Sequence, residues 1–432
     1  MYRPARIAAV AASGLLALGL LTPATSTAAN DFYTPPADLP AANGALVKTE
    51  PMKLAIPVPK NLGSSTLPGS ATRIMYKTTD DGGDAAAVSG VYIEPSKKWT
   101  GSGDRPLVSF SVGTQGVGDA CAPSKTLESF IVSENGKFMV GYEIPAIYNF
   151  LNEGVAVVIT DYIGLGTTDR VHSYMNREDQ AHAVLDAARA ALQLPQTSVT
   201  PDSPIGLYGY SQGGGASGAA AELAPTYAPE LNLKGAYVGG PPADLYEVMQ
   251  SADNTLLTGV IPWTINAIAP YHPDLAPYIG QLLNQSGRDY LEKSKDQCVV
   301  DAILGAGFKK TSSWTNSGKS ASVEVKNYPA IVAAVEEQRI GKLKPKVPVL
   351  VITGTKDDVV DHGQAKQLAL DWCAEGVNVN YDPTIQLVSS GGLMLTHLGP
   401  LITGMGNSKN WMIDRFNGKT ASSNCSKARF LP

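Results

Sequence analysis

Ile205-Gly206-Leu207-Tyr208-Gly209-Tyr210-Ser211-Gln212-Gly213-Gly214-Gly215-Ala216-Ser217-Gly218-Ala219-Ala220-Ala221 is the stretch on which the reading of the fold turns. Its first six residues are a short apolar run of the kind a strand buried on both faces shows. The run leads directly into Gly209-Tyr210-Ser211-Gln212-Gly213, a G-x-S-x-G sequence, and then into small residues suited to a helix packed closely on a sheet. A sharp strand-to-helix elbow holds its central serine in a strained conformation, so the residues two positions away must be tiny. It also sets Ser211 at a helix N-terminus, where free amides and the helix dipole favour developing negative charge. An overlapping G-x-G-x-x-G pattern, Gly213–Gly218, does not read as a dinucleotide site. Such a loop belongs in the first βαβ unit, with an acid about 20 positions on, where this chain has Leu233 and Val238.

Outward from this stretch, apolar runs recur at Arg73–Lys77, Ala86–Ile93, Pro106–Val112, Val155–Thr160, Leu233–Val238, Val347–Thr353 and Thr384–Val388. Several are continuous rather than alternating, as in a parallel sheet covered on both faces. Between them, Arg177–Leu194 places Ala181, Val184, Leu185, Ala188, Ala191 and Leu192 on one helical face, with Asn176 as its cap and Glu178 and Asp179 at its positive end. The alternation implies a doubly wound α/β architecture. It stops between Asp244 and Lys344, where aromatic and Pro-rich helical patches such as Ile261-Pro262-Trp263 take over. The expected organisation is a core over 30–243, opening with an extended arm at 30–70, an inserted cap or lid over 244–344, and the rest of the core over 345–432.

The 432 residues are 44% hydrophobic and 17% charged, enough for a large core and too apolar for disorder. Arg3 and Arg6, the apolar run Ile7–Leu21 and small residues to Ala29 read as an export signal over 1–29, and no later segment is long and apolar enough to span a bilayer. Loss of Arg3 and Arg6 with that signal moves the formal charge from −5 to −7. A mildly acidic chain without a basic stripe gives no case for nucleic acid. Cys121, Cys298, Cys373 and Cys425 are widely scattered, unlike zinc ligands, and in an exported chain they predict two disulfides with three connectivities open. Asp80-Asp81-Gly82-Gly83-Asp84 lacks calcium-loop spacing and reads as a solvated turn. No Walker loop or H-E-x-x-H helix occurs, and no metal or cofactor is implied.

A serine hydroxyl needs a base to take its proton and an acid to orient that base. Asp357 follows the buried strand Val349–Thr353 through Gly354-Thr355-Lys356, at the carboxyl end where sites on open α/β sheets gather. Asp358 and Asp361 compete for the role but read as solvated loop carboxylates. Of the five histidines, only His362 and His397 follow this acid. His362 is too near Asp357 in sequence to reach Ser211, so His397 is the expected base; His172 and His182 read as structural or surface residues. The order Ser, Asp, His is that of the α/β-hydrolase fold, here with a mostly parallel sheet of eight strands. The oxyanion hole is expected from the amide of Gln212 and from Gly116 or Gln115 in the loop Gly113–Gly118.

With these pieces placed, the chain resembles the secretory lipases of fungi and actinobacteria, the Candida antarctica lipase A-like group. The resemblance rests on Gly113-Thr114-Gln115-Gly116 with Cys121-Ala122-Pro123-Ser124, Asp161–Gly166, Leu185–Ala190, Gly209–Gly214 and the ending from Trp411 to Cys425. It implies secretion, hydrolysis of esters, often of long-chain acylglycerols, without a cofactor, and a helical lid at 244–344. It also implies pairing of Cys121 with Cys298 and of Cys373 with Cys425. The expected partner is a small-molecule ester or lipid met at a lipid–water interface. An acyltransferase or short-chain carboxylesterase using the same triad, and a binding protein on a hydrolase scaffold, are the rival readings.

Overall fold

The structure, a computed structural model, describes residues 31–55, 68–134 and 136–432. The export signal expected at 1–29 lies outside the described residues. The strands in chain order are β1 (Leu46–Met52), β2 (Gly69–Thr79), β3 (Ala85–Pro95), β4 (Leu107–Ser111), β5 (Ile131–Glu134), β6 (Lys137–Val140), β7 (Ala156–Thr160), β8 (Ile205–Tyr210), β9 (Leu233–Gly239), β10 (Val349–Gly354) and β11 (Val379–Thr384). Nine of them form one sheet in the order β1-β2-β3-β7-β4-β8-β9-β10-β11. β1, β2, β3 and β7 pair antiparallel, and the pairs from β7 through β4, β8, β9 and β10 to β11 are parallel.

Every residue of β4, β7, β8 and β10 is buried, which accounts for their continuous apolar sequences. The faces are covered by helices that include α1 (Arg177–Gln193), α2 (Gln212–Tyr227), α3 (His362–Ala374) and α4 (Leu395–Phe416). Asn176 caps α1 through its side-chain oxygen, which accepts the amides of Glu178 and Asp179.

Two expectations need correction. The sheet has nine strands, not eight, because part of the arm at 30–70 forms β1, an edge strand running antiparallel to β2. Its sequence Leu-Val-Lys-Thr-Glu-Pro-Met is half exposed and carries a proline, features an edge tolerates and a central strand does not. The last strand is Val379–Thr384 rather than Thr384–Val388. Val379 and Tyr381 alternate inward past polar Asn380 and Asp382, whereas the more hydrophobic Ile385, Leu387 and Val388 are 63%, 91% and 74% exposed. Alternation, not hydrophobicity, marked that edge.

Residues 244–344 enter between β9 and β10, and none of them joins the nine-stranded sheet. They form helices that include Leu245–Ser251, Ile261–Ile268, Gln285–Lys293, Val299–Ala306 and Pro329–Glu337. Their apolar faces share a cluster around Trp263 that also takes in Tyr174, Val359 and Val360 from the core. The disulfides join Cys121 to Cys298 and Cys373 to Cys425. Among the described residues no helix is long and apolar enough to cross a membrane.

Candidate active site

Because β4, β8, β10 and β11 are all parallel, the segments leaving their carboxyl ends emerge at one edge of the sheet. Ser211 directly follows β8 and is the residue before α2, with φ 58° and ψ −126°, a conformation an L-residue avoids unless its surroundings impose it. The surroundings are tight. A Cβ on Gly209 would stand 2.2 Å from the carbonyl oxygen of Gly213, and one on Gly213 would stand 1.9 Å from that of Ser111. Ser211 is further fixed by its amide, which donates to the carbonyl of Gly239 at 2.8 Å.

His397 lies in the first turn of α4 and is 2% exposed. Its Nε2 is 2.9 Å from Ser211 Oγ, and its Nδ1 is 2.7 Å from Asp357 Oδ2. The Asp357 side chain is fully buried. Its other oxygen accepts the amides of Val359 and Val360 at 3.0 and 2.9 Å. Tyr210 Oη donates to the carbonyl of His397 at 2.6 Å, tying the histidine turn to the strand that carries the nucleophile. Three side chains drawn from positions 211, 357 and 397 therefore form one hydrogen-bonded line. In it a base touches a hydroxyl, and a buried carboxylate holds the imidazole's far nitrogen.

The loop after β4 approaches this line at its start and leaves it at its end. A Cβ on Gly113 would lie 3.7 Å from Ser211 Cβ, and the Gly113 amide donates to Glu143 Oε2 at 2.8 Å. Gln115 is 3% exposed, and its Oε1 has no hydrogen-bond partner among the described residues. Gly116, with φ 153°, is seated on the disulfide: Cys121 Sγ, Cys298 Cα and the Gln297 carbonyl all lie 2.6 Å from where its Cβ would stand. Bonds from Val117 N to Gln297 O and from Val299 N to Gln115 O, each 2.8 Å, sew this end of the loop to the 244–344 insertion.

On the other side, Gln212 Nε2 lies 3.3 Å from His172 Nε2, and His172 Nδ1 lies 2.8 Å from the Ile163 carbonyl. Burial pushes the His172 imidazole down to about 4, so the ring is neutral at pH 7, with Nδ1–H donating and Nε2 accepting from Gln212. His172 is thus a buried orienting residue. His182 bonds the Thr79 carbonyl, His272 pairs with Glu337, and His362 bonds Tyr381; none of these contacts involves Ser211.

Of the two competing carboxylates, Asp361 is exposed, as its sequence reading expects, and Asp358 is not. Asp361 caps α3 by accepting the amide of Gly363. Asp358 is 9% exposed and accepts hydrogen bonds from the turn that carries His397, so it is not a solvated loop residue. Its adjacency to Asp357 was the one signal in the sequence.

Glu143 offers a direct electrostatic test. Burial lifts its carboxyl from an ordinary value near 4.5 to about 8, against the lowering effect of the Gly113 amide. Between those values the folded chain holds a proton that the unfolded chain has lost. Stability therefore falls as pH rises from about 4.5 to about 8. Glu143→Gln keeps an acceptor for Gly113 and is expected to remove this decline. Relative to the parent, the variant should gain about 2–4 kcal/mol between pH 5 and pH 9 in urea unfolding.

The chain is 29% identical over 90% of its length to a probable inactive lipase of Mycobacterium tuberculosis, covering 82% of that protein. It is 25% identical over 91% of its length to a secreted triacylglycerol lipase of Malassezia furfur, covering 77% of it. The fold superposes on the crystal structure of Candida antarctica lipase A with a TM-score of 0.75 at 22% identity, over 92% of this chain and 87% of that one. The family model described as secretory lipase matches residues 131–424. Spanning most of the chain and both sides of the inserted region, that match makes the protein a member of the secretory lipase family, a secreted ester-hydrolysing enzyme.

Proposed function

We propose that this chain hydrolyses acylglycerol esters at a lipid–water interface through an acyl-enzyme formed on Ser211. The observation that carries the reading is the line Ser211 Oγ, His397 and Asp357, with contacts of 2.9 and 2.7 Å. In this mechanism Ser211 Oγ attacks the ester carbonyl while His397 Nε2 takes its proton, and Asp357 stabilises the imidazolium at Nδ1. The carbonyl oxygen, now negative, is held by the amide of Gln212, one of the α2 N–H groups that lack a helical acceptor, with a second backbone donor expected from the 113–118 loop, whose Gly113 end is the part that meets Ser211. The intermediate collapses as His397 returns the proton to the leaving glyceride oxygen. Water, deprotonated by the same imidazole, then releases the fatty acid and regenerates Ser211.

Two features favour long acyl chains. Residues 244–344 act as a cap, and inside it Met249, Ile261, Ile265, Leu282, Leu291 and Val335 help to line an apolar cavity. That cavity does not itself include the triad, but its cluster extends to Val359 and Val360, the two residues whose amides hold Asp357. From Pro383 to Ser408 the sequence has no Asp, Glu, Lys or Arg, and Leu387, Val388, Leu393, Leu395 and Ile402 stand exposed around the turn bearing His397. Such a surface suits a neutral lipid face.

Each CH2 buried on binding is worth about 0.8 kcal/mol, so kcat/KM should rise by up to about fourfold per added methylene until the cavity is full. Hydrolysis of p-nitrophenyl esters of increasing length, together with emulsified trioctanoin and triolein, measures this. A steep optimum at acetate or butyrate with no activity on the emulsions would leave a short-chain esterase instead. The Mycobacterium tuberculosis relative described as a probable inactive lipase favours a second reading, a binding protein that has kept the scaffold. Failure of a fluorophosphonate to label Ser211 in the intact protein would establish that reading and remove the first.

A further inference from the structure

Asp357 reaches the imidazole of His397, and the next residue reaches its backbone. Asp358 Oδ1 accepts the His397 amide at 3.3 Å, while its Oδ2 accepts from Ser390 Oγ at 2.5 Å, Gly392 N at 2.8 Å and Met394 N at 3.1 Å. Ser390 Oγ in turn accepts the Thr396 amide at 3.1 Å. One carboxylate thus gathers both ends of the turn from Ser390 to His397.

Other groups hold the turn as well: Tyr210 Oη donates to the His397 carbonyl and Gln386 Nε2 to that of Thr396, each at 2.6 Å, and the Leu256 amide donates to the Gly392 carbonyl at 2.9 Å, but none of these reaches both its ends as Asp358 does. Gly391 and Gly392 take φ of 68° and 85°, which glycine adopts freely, whereas Met394 at 65° is in a conformation an L-residue avoids unless its surroundings impose it. Leu393 and Leu395 point outward, 47% and 65% exposed, so apolar anchoring of the turn comes from Met394, which packs on the cluster around Trp263. Burial disfavours the charged form of Asp358, yet the bonds from Ser390, Thr396 and the Gly392 amide outweigh it and keep the carboxyl below its ordinary range.

We infer that Asp358 is a positioning residue for the hydrolytic reaction: by binding the backbone of the 390–397 turn it sets His397 between Ser211 and Asp357, without touching substrate or imidazole itself. The two carboxylates occupy adjacent positions on one chain, so the acid that orients the ring and the acid that orients its backbone share a single frame. Displacement of the ring by about 1 Å is enough to cost about a hundredfold in rate. The inference rests on the triad reading above and extends it to a residue outside the triad.

The test is kcat per active site, counted by fluorophosphonate titration to its end point, for the full-length secreted enzyme. Asp358→Asn, which turns amide hydrogens toward the donors of the turn, is expected to lower kcat by about 10–100-fold with KM changed less than about threefold. Ser390→Ala removes one of the four bonds and should fall between that variant and the parent. Asp358→Glu keeps the charge one methylene further out and should restore part of the lost kcat. A parental kcat per titrated site in Asp358→Asn, whatever its melting temperature, would overturn the inference, as would equal losses in the Asn and Glu variants. Retained activity in Ser211→Ala would instead overturn the triad reading, so the two failures are told apart.

Discussion

Ser211→Ala is expected to lower kcat on any ester by on the order of a millionfold, with the melting temperature within a few degrees of the parent. The hydroxyl makes its one reactive contact with His397 Nε2, and the elbow's conformation is imposed by Gly209, Gly213 and the bond to Gly239 rather than by the side chain. His397→Ala should cost about as much, because a serine without its base is no better than one removed. Asp357→Asn should cost on the order of ten-thousandfold, since it leaves the ring in place but favours the wrong tautomer. The losses do not add: the Ser211→Ala/His397→Ala double variant should be no slower than either single one. Pre-steady-state release of p-nitrophenol separates the cases, the parent giving a burst of one equivalent and the Ser211 variant none. A Ser211→Ala enzyme still within about a hundredfold of the parent would mean that another nucleophile acts.

Removing the Cys121–Cys298 bridge should produce the largest loss of stability and, unlike a simple staple, a loss of rate as well. The bridge spans 177 residues, the Cys373–Cys425 bridge only 52. Cross-linking so long a loop restricts the unfolded chain by about 5 kcal/mol in the chain-entropy account, and measured losses for native bridges run at about 2–5 kcal/mol. The same bridge lies under Gly116 and beside the two backbone bonds that join the 113–118 loop to the insertion. The Cys121→Ser/Cys298→Ser variant is therefore expected to lose about 2–5 kcal/mol in guanidinium unfolding and about tenfold in kcat, as the oxyanion loop loosens. Cys373→Ser/Cys425→Ser, which frees the C-terminal segment from α3, should lose somewhat less stability and keep its kcat. Equal kcat in both double variants would show that the first bridge does not steady the loop.

Much of the site was legible because chemistry constrains sequence most where chain segments crowd. Gly209 and Gly213 are glycines because a Cβ at either would overlap a neighbouring carbonyl, and that demand reads directly as G-x-S-x-G. Asp357 was legible from its distance past a fully buried strand, and His397 from its position after the other candidates were eliminated. Asp358 was not. A carboxylate that accepts backbone amides from a turn more than 30 positions away looks the same in sequence as one in water. The reading of His172 as structural or surface could go no further for a similar reason, since its partners Ile163 and Gln212 carry no pattern that points to it. Within the 113–118 loop the glycines suggested close approach to Ser211, but Gly113 is the residue that meets it while Gly116 meets a disulfide.

By itself, the sequence determined the parallel core, the elbow, the inserted helical region and the three residues the structure brings into one line, because local periodicity and steric exclusion operate over a few residues. The tertiary structure alone decided the ninth strand, the inward register of β11, the tie between the insertion and the 113–118 loop, and the hydrogen bonds of Asp358 to the 390–397 turn. Those depend on which distant backbone groups finally face one another, and a hydrogen bond across 40 or 180 positions leaves no period in the chain that makes it.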